Sequence, residues 1–362
     1  MAIYLGSEKI IFTESSKVDI ESPYTKQIIE GTISGVYSNS RINVVGNFAF
    51  AGCSNLTLVD FSNCTSIGNN AFYSCTGLTS INFPNCTSIG SGAFSYCSNL
   101  TSISFPNCSY IGNSAFVFCE SLTSINFPNC SYIGNSAFRD CSNLTSASFS
   151  NCTSIGSSAF INCFNLTSVD FPNCTSIGAA VFYSCHNLTS INFSNCTSIG
   201  DNAFYKCSNL TSINFPSCNR IGNYAFRDCS NLTSVSFSNC SYIGTNAFIR
   251  CSNLTTISFP SCSYIGSGAF GECYSLISIS FPNCSYIGGN AFISCYHLLS
   301  LYLLGSSIPT LSSTTAFSST PISNYTTSTG GIYGSIYVPA SLYNDYLTAT
   351  NWSIYSVRIV SI

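Results

Sequence analysis

Apolar and polar positions recur with a fixed period along most of the chain. The unit that begins at Leu78 reads L-T-S-I-N-F-P-N-C-T-S-I-G-S-G-A-F-S-Y-C-S-N, and Leu100 begins the next unit 22 residues later. A period of roughly 20–30 residues is typical of a solenoid, in which each repeat packs against its neighbours. The pattern therefore predicts a repeat protein with one continuous core.

The spacing of apolar residues changes within each unit. Ile81 and Phe83 alternate with polar neighbours, as expected of a strand whose Ile and Phe point inward. After the next glycine, Ala93-Phe94-x-x-Cys97 has the spacing of one short helical turn on the opposite face. We therefore expect an α/β-type repeat, with a curved parallel β-sheet on one face and short helical turns on the other.

All 23 cysteines lie on one series with a step of eleven, from Cys53 to Cys295. Equivalent cysteines of adjacent repeats would stand about 4.8 Å apart with parallel side chains. A disulfide needs a Cβ–Cβ distance of about 3.5–4.5 Å, so this spacing is too wide. We expect free, buried thiols that pack as small apolar groups. No Cys-x-x-Cys pair is present in the sequence, which argues against a zinc site.

The segment from Leu78 to Ile89 reads Leu-x-x-Ile-x-Phe-x-x-Cys-x-x-Ile and matches the leucine-rich repeat pattern. The chain also resembles the BspA-like leucine-rich repeat family of bacterial surface proteins. The hallmark of that family, I-G-x-x-A-F-x-x-C-x-x-L, stands here from Ile67 to Leu78 and recurs in the following repeats. The resemblance implies a leucine-rich repeat solenoid, cell-surface display and adhesion to protein or glycan ligands, and it carries no catalytic residues.

Three regions are predicted along the chain. Residues 1–41 hold nine of the 23 charged residues and are predicted to form an N-terminal cap or an attachment segment. Residues 42–304 form the leucine-rich repeat solenoid of about 12 repeats, the part that the resemblance covers. Residues 305–362 contain a degenerate repeat at Ala316–Phe317 and then a C-terminal cap. A short helix opened by Pro339 is expected to cover the last core layer with four side chains, Leu342, Tyr343, Tyr346 and Leu347.

Asparagine recurs in glycan-acceptor sequons such as Asn85-Cys86-Thr87. Glycans at this density would block the stacking of repeats, so we expect the Asn side chains to bond turn backbone instead. The chain is therefore expected to come from a prokaryote or its phage.

The composition and the placement of reactive residues argue against an enzyme. His186 and His297 are the two histidines and lie five repeats apart, and the serine rows have no base beside them. Asp60 and Asp170 are also five repeats apart, so they cannot act as a pair on one bond. We expect no catalytic residues, no cofactor and no metal.

Two rows of variable residues are the candidate ligand-binding sites. The row two residues after the first cysteine of each repeat carries aromatic residues that suit protein or sugar contacts. Stacking that only stabilises the solenoid is the alternative for this row. The row just before the second cysteine carries alternating charges, for which mutual ion pairing is expected and ligand binding is the alternative. The first row contains Tyr110, Tyr132, Arg220, Tyr242, Tyr264 and Tyr286, and the second contains Lys206, Asp228, Arg250 and Glu272.

The predicted function is a non-enzymatic binding scaffold, in particular a bacterial cell-surface adhesion or host-interaction protein. Its expected partner is a protein or glycan on a host or neighbouring cell, with no nucleic acid. No run of 18 apolar residues is present, so no membrane insertion is expected. The first residues lack a secretory signal, so the signal has been removed, or the chain leaves the cell by another route or stays inside. The alternative function is a phage or prophage tail component, structural or receptor-binding, located in the phage particle.

Overall fold

Short parallel strands repeat along the chain with a spacing of 22 residues, as in the in-register pairing of Ser80 with Ser102. The computed structural model divides into two compact units, Met1–Phe171 and Pro172–Ile362. Each unit is a parallel-strand solenoid, so the predicted solenoid architecture is confirmed. The structure describes residues 42–323, residues 333–362, residue 40, and the backbone of strands Ile3–Leu5, Glu8–Ile10, Val18–Ile20 and Gly35–Ser38.

One row of strands, the long-strand ladder, lies at the Leu-x-x-Ile-x-Phe segment of each repeat. From Ser80–Asn82 to Ser278–Ser280, the central Ile, Val or Ala points inward, and the flanking Ser, Thr, Asn or Asp residues point outward, as the alternation predicts. In the first unit it comprises Gly35–Ser38, Leu56–Asp60, Ser80–Asn82, Ser102–Ser104, Ser124–Asn126, Ser146–Ser148 and Ser168–Asp170. In the second unit it comprises Ser190–Asn192, Ser212–Asn214, Ser234–Ser236, Thr256–Ser258, Ser278–Ser280, Ser300–Tyr302, Ser335–Val338 and Ile359–Ser361.

A second row, the short-strand ladder, lies just before the Ile-Gly turn of each repeat. From Ser66–Ile67 to Tyr286–Ile287, the Ile residues are buried and the residue before each Ile lies on the solvent side. In the first unit it comprises Val18–Ile20, Ile42–Val45, Ser66–Ile67, Ser88–Ile89, Tyr110–Ile111, Tyr132–Ile133 and Ser154–Ile155. In the second unit it comprises Ser176–Ile177, Ser198–Ile199, Arg220–Ile221, Tyr242–Ile243, Tyr264–Ile265, Tyr286–Ile287 and Thr310–Leu311.

The Ala-Phe-x-x-Cys segment forms consecutive tight turns, whereas its spacing had predicted a short helical turn. The Cys97 N–H donates to the Phe94 oxygen three residues earlier, and the Phe94 N–H donates to the Ala115 oxygen of the next repeat at 2.7 Å. Tyr96 has a φ of 63°, a left-handed conformation that a right-handed helix cannot contain. The third side of the repeat is therefore another hydrogen-bonded backbone layer with very little helix.

Buried phenylalanine rings fill the core in two parallel columns. Phe83 and Phe105 stack at 5.5 Å between ring centroids, and Phe94 and Phe116 stack at 5.2 Å. The two columns meet edge to face, with Phe83 and Phe94 6.2 Å apart. Each such pair adds about 0.5–1.5 kcal/mol to the gain from burial.

All 23 cysteines are buried free thiols, as expected. The two cysteines of a repeat use different acceptors: the Cys86 S–H donates to the Ser88 oxygen at 3.3 Å, and the Cys97 S–H donates to the Phe72 oxygen at 3.2 Å. Burial raises the pKa of Cys64 to about 11 and the pKa of Cys108 to about 12. At neutral pH these thiols are protonated, so they serve as donors and as packing groups.

Asparagine side chains join successive repeats. The Asn85 Nδ2 donates to the Ser62 oxygen at 2.7 Å, and the Asn107 Nδ2 donates to the Pro84 oxygen at 2.8 Å. The same contact recurs in later repeats, for example from Asn239. The expectation that these asparagines bond turn backbone is confirmed, and the backbone that they bond belongs to the preceding repeat.

The long-strand ladder is interrupted inside both units. In the first unit, one interruption separates Ser102–Ser104 from Ser124–Asn126. In the second unit, two interruptions separate Ser190–Asn192 from Ser212–Asn214 and Thr256–Ser258 from Ser278–Ser280. One repeat beyond the first interruption, the Thr145 N–H donates to the Thr123 oxygen at 2.8 Å. Among the described residues, the Thr123 N–H has no corresponding bond to the preceding repeat.

Ring spacing widens at the same three places. The ring centroids are 5.8 Å apart for Phe105 and Phe127, 6.1 Å for Phe193 and Phe215, and 6.4 Å for Phe259 and Phe281. The uninterrupted neighbour pair Phe127 and Phe149 is 5.4 Å apart. The short-strand ladder continues past all three positions. The solenoid is therefore open at these points on the long-strand side alone.

We expect amide hydrogen exchange to detect the first interruption. The N–H groups of Phe105 and Thr123 should exchange at least about tenfold faster than those of Phe127 and Thr145, their equivalents one repeat later. Exchange measured by NMR or at peptide resolution by mass spectrometry tests this comparison. Equal protection at the two positions would show that the ladder is closed in solution.

The C-terminal segment covers the last phenylalanine of the core. Trp352 donates from Nε1 to the Pro309 oxygen at 2.8 Å, and its ring lies 6.1 Å from that of Phe317. The Tyr355 ring meets Phe317 edge to face at 5.3 Å. A 3-10 helix (Ala340–Leu342), an α-helix (Tyr343–Thr348) and a second 3-10 helix (Ser353–Arg358) hold these residues in place. Of the four helix side chains expected to cover the core, Tyr346 is buried, and Leu342, Tyr343 and Leu347 are half-buried.

Most of the predicted N-terminal cap, residues 1–41, lies outside the described residues. The described backbone shows Ile3–Leu5 paired antiparallel with Glu8–Ile10, and Val18–Ile20 paired parallel with Ile42–Val45. The assignment of a cap or attachment segment stays a prediction.

Candidate ligand-binding surface

The predicted aromatic row lies on the solvent side of the short-strand ladder. In the second unit, Arg220, Tyr242, Tyr264 and Tyr286 occupy the same register position on four successive strands. We call these four residues the Arg–Tyr strip. Their neighbours toward the core, such as Ile243 and Ile265, are buried and fix the outward direction of the strip residues.

The tyrosines of the strip stack face to face. The ring centroids of Tyr242 and Tyr264 are 4.7 Å apart with planes 6° from parallel, and those of Tyr264 and Tyr286 are 4.7 Å apart at 2°. The Arg220 guanidinium lies over the other face of Tyr242, with Cζ 4.1 Å from the ring centroid. Thr310 is the register partner of Tyr286 at the far end.

This stacking decides what the strip can offer to a ligand. The ring faces inside the stack cover one another, so a ligand meets ring edges and phenolic hydroxyls. Partial burial, with smaller contributions from Tyr242 and Tyr286, raises the pKa of the Tyr264 hydroxyl. This hydroxyl is therefore protonated at neutral pH and can donate a hydrogen bond.

The other two tyrosines of the predicted row, Tyr110 and Tyr132, form a separate pair in the first unit. They are register partners, and their rings stack at 5.3 Å and 11°. Tyr110 is exposed and Tyr132 is half-buried. The structure thus places the six predicted residues in two groups, four in the second unit and two in the first.

The predicted charge ladder is largely engaged in contacts within the chain. Arg250 lies between two carboxylates, 3.9 Å from Asp228 and 3.2 Å from Glu272. Asp228 also contacts Arg227 at 3.3 Å, and Lys206 lies over the Tyr205 ring at 5.5 Å. These side chains are partly exposed, and ion pairs of this kind contribute about 0.2–1 kcal/mol. The geometry agrees with the expectation of mutual ion pairing.

All four members of the charge ladder have a left-handed backbone, with φ of 59° at Lys206, 60° at Asp228, 63° at Arg250 and 57° at Glu272. This conformation lets each N–H donate to the next repeat, as from Lys206 to the Arg227 oxygen at 2.8 Å. The position is thus a structural turn whose side chain is free to vary.

Sequence reasoning missed further aromatic stacks on the turn layer. Tyr96 stacks on Phe118 at 4.9 Å and meets Tyr73 edge to face at 5.5 Å. Tyr274 and Tyr296 stack at 5.3 Å in the second unit. Aligning the repeats at the residues on either side of the second cysteine would have revealed these stacks, since each joins neighbouring repeats.

The two histidines bond to backbone. The His186 Nδ1–H donates to the Lys206 oxygen at 2.9 Å, and the His297 Nδ1–H donates to the Tyr274 oxygen at 2.6 Å. Across the described ranges, no group of three or more His, Cys, Asp or Glu side chains is arranged to hold a metal ion.

The repeat geometry defines the chain as a leucine-rich repeat protein. The family model described as "BspA type Leucine rich repeat region (6 copies)" matches residues 30–145, 109–233 and 219–332. These segments cover well over half of the sequence, and the chain belongs to this family. The predicted resemblance is thereby confirmed.

Solved structures of bacterial leucine-rich repeat proteins are similar to the chain. A leucine-rich repeat protein from Bacteroides ovatus ATCC 8483 matches with a TM-score of 0.57 at 22% identity, over 91% of this chain and 94% of its own. A leucine rich cell surface protein from Faecalibacterium prausnitzii A2-165 matches with a TM-score of 0.45 at 22% identity, over 98% and 97%. The first of these likenesses supports the fold alone. No curated protein shows significant sequence similarity to the chain.

The helices in the described part of the chain are all too short or too polar to cross a bilayer.

Proposed function

We propose that this protein is a non-enzymatic binding scaffold that uses its solenoid surface to hold a protein or glycan ligand at a bacterial cell surface. Membership of the BspA-type leucine-rich repeat family supports the scaffold class. The observation that carries the proposal is the unbroken Arg–Tyr strip, in which Tyr242, Tyr264 and Tyr286 stack in register on a surface otherwise rich in Ser, Thr and Asn.

The repeat core does not need tyrosine at this position. Ser66, Ser88 and Ser154 stand at the same register position in other repeats, beside equally buried isoleucines. Tyrosine therefore adds a large amphipathic surface that the stack can do without, as is common where proteins bind partners.

Adhesion and host interaction are the roles we propose for this surface. The alternative is that the protein is a component of a phage or prophage tail. In that role the same strip would contact a receptor. Both roles use binding without catalysis, and the same experiment tests the strip in either case.

The triple variant Y242S/Y264S/Y286S should bind an identified ligand at least about tenfold more weakly than the unchanged chain. Ligands are first identified on glycan and protein arrays, and affinity is then measured by calorimetry. The variant should keep its far-ultraviolet circular dichroism spectrum, because serine is native at this position.

The matched control removes the charge ladder through K206Q, D228N, R250Q and E272Q together. We expect this control to bind as the unchanged chain does, since its side chains contact each other and neighbouring residues of the chain. Unchanged binding by the tyrosine variant, together with loss of binding by the control, would move the site to the charge ladder.

A further inference from the structure

We propose that Arg220 makes one end of the Arg–Tyr strip a carboxylate site, and that the ligand is a glycan bearing carboxylate groups. The inference rests on the proposed function and names the ligand class of the same surface. It starts from the exposed Arg220 side chain, which occupies a register position filled by an uncharged residue (Ser, Tyr, Thr or Val) in the other repeats from Val44 to Thr310.

The arginines of neighbouring turns have acidic partners, and Arg220 has none among the described residues. Arg227 contacts Asp228 at 3.3 Å, and Arg250 contacts Glu272 at 3.2 Å. Asp201, on the turn before Arg220, instead accepts hydrogen bonds from the Asn223 N–H at 2.7 Å and from its Nδ2 at 3.5 Å. The Arg220 charge is therefore available to an external anion.

Stacking on Tyr242 also orients the guanidinium. With Cζ 4.1 Å from the ring centroid, one face of the guanidinium is occupied by the ring. Its N–H groups lie in the guanidinium plane, so an anion can approach at the edge. A planar fork of this kind matches the two oxygens of a carboxylate, which accept two parallel hydrogen bonds.

The residues along the rest of the strip suit a hydroxyl-rich ligand. The Tyr264 hydroxyl is a protonated donor, and serine oxygens run parallel to the strip. The Ser263 hydroxyl donates to the Ser241 oxygen at 3.1 Å, and the Ser285 hydroxyl donates to the Ser263 oxygen at 2.9 Å. Because these hydrogens are used, the serine oxygens remain as acceptors. Donors and acceptors thus lie side by side along the strip.

The spacing of the strip favours a glycan over an extended peptide. An extended peptide presents side chains on one face about every 6.8 Å. The strip repeats every 4.7 Å, so such a peptide loses register after one ring. A sugar chain carries hydroxyls all along its length and can meet every phenol.

The test compares oligogalacturonate, which carries a carboxylate on each sugar, with its methyl ester, the same sugar chain without the charge. Calorimetry of the full chain should show binding of the acid form at least about tenfold tighter than binding of the ester. Added salt should weaken binding of the acid form and leave binding of the ester unchanged.

Two Arg220 variants separate charge from stacking. R220Y extends the tyrosine stack by one ring and removes the charge, so it should reduce binding of the acid form to the level of the ester. R220K keeps the charge without the fork and should retain part of the preference. R250Q changes net charge by the same amount within the charge ladder and should have no effect.

Three results would overturn the inference. Equal binding of acid and ester, with both lost in Y242S/Y264S/Y286S, would leave the proposed function standing and reject the carboxylate site. Binding of the acid form that R220Y does not change would also reject the site. Binding of neither form would reject the ligand class, and the array ligands and the triple tyrosine variant would then decide the proposed function separately.

Discussion

Replacement of Gly288 by alanine should lower the free energy of unfolding by about 3 kcal/mol or more. An added Cβ would lie 2.5 Å from the backbone nitrogen of Ser267 and 2.7 Å from the carbonyl carbon of Gly266. Both atoms are backbone of the preceding repeat and cannot move aside without breaking the ladder. Urea denaturation followed by circular dichroism would measure the loss.

The next residue provides the matched control. A Cβ on Gly289 would first meet the Ser313 Cβ at 3.3 Å, a side-chain contact that a small shift relieves. G289A should therefore change the free energy of unfolding by less than about 1 kcal/mol. Equal stability of G288A and G289A would mean that the repeats lie further apart in solution than the structure shows.

Alkaline pH should unfold the protein over a narrow range that begins near pH 9. Burial raises the pKa of Cys108 and Cys218 from 9.0 to about 12, and of Cys174 to about 11. The native thiols keep their protons above pH 9, while thiols of the unfolded chain release theirs at the ordinary pKa. The free energy of unfolding is therefore at its full value below about pH 8 and falls as the pH rises past 9. It stops falling once the native thiols ionise.

The size of this effect follows from the number of thiols. At pH 10, one unit above the unfolded pKa, each such thiol costs about 1.4 kcal/mol of stability. Similar thiols lie in both units, and about four to eleven of them together cancel the roughly 5–15 kcal/mol that stabilises an ordinary domain.

Thermal unfolding followed by circular dichroism from pH 7 to 11, under reducing conditions, measures this loss. Return to neutral pH should restore the signal, because ionisation is reversible. A midpoint that stays constant from pH 8 to 10 would contradict the proposed role of the buried thiols.

The repeat period and the inward positions could be predicted because packing depends on them directly. Ile81 and Phe83 are buried as their alternation requires, and every cysteine is a free thiol at an inward position. These residues contact equivalent residues in the next repeat, so a change in the size of one side chain would disturb the packing of its neighbours along the stack. Their pattern in the sequence therefore reports the structure.

The turn layer could not be predicted in the same way. Ala93-Phe94-x-x-Cys97 has a spacing that both a helical turn and a pair of tight turns satisfy. The left-handed residue that distinguishes them is Tyr96 here and Lys206 elsewhere, and neither residue type signals that conformation. Hydrogen bonds to the next repeat select it, and those bonds exist only in the assembled stack.

The sequence predicts that the residues of the Arg–Tyr strip form a row, but it does not predict how their rings are oriented toward a ligand. Register alone places Tyr242, Tyr264 and Tyr286 on adjacent strands. Whether a ligand meets ring faces or ring edges depends on the tilt of each ring, which the sequence does not encode. Its role in binding stays a prediction.

The 22-residue spacing also determines which changes in length the gene can tolerate. Backbone and side-chain bonds between repeats join equivalent residues, such as the Thr101 and Thr79 pair. Recombination that removes or duplicates one whole repeat restores these partnerships, whereas insertion of a single residue within a strand would turn its apolar side chains toward water. Such a chain can lengthen or shorten its exposed surface by one whole repeat at a time. Exchange of repeats of nearly identical sequence can also bring tyrosines together into one strip or separate them.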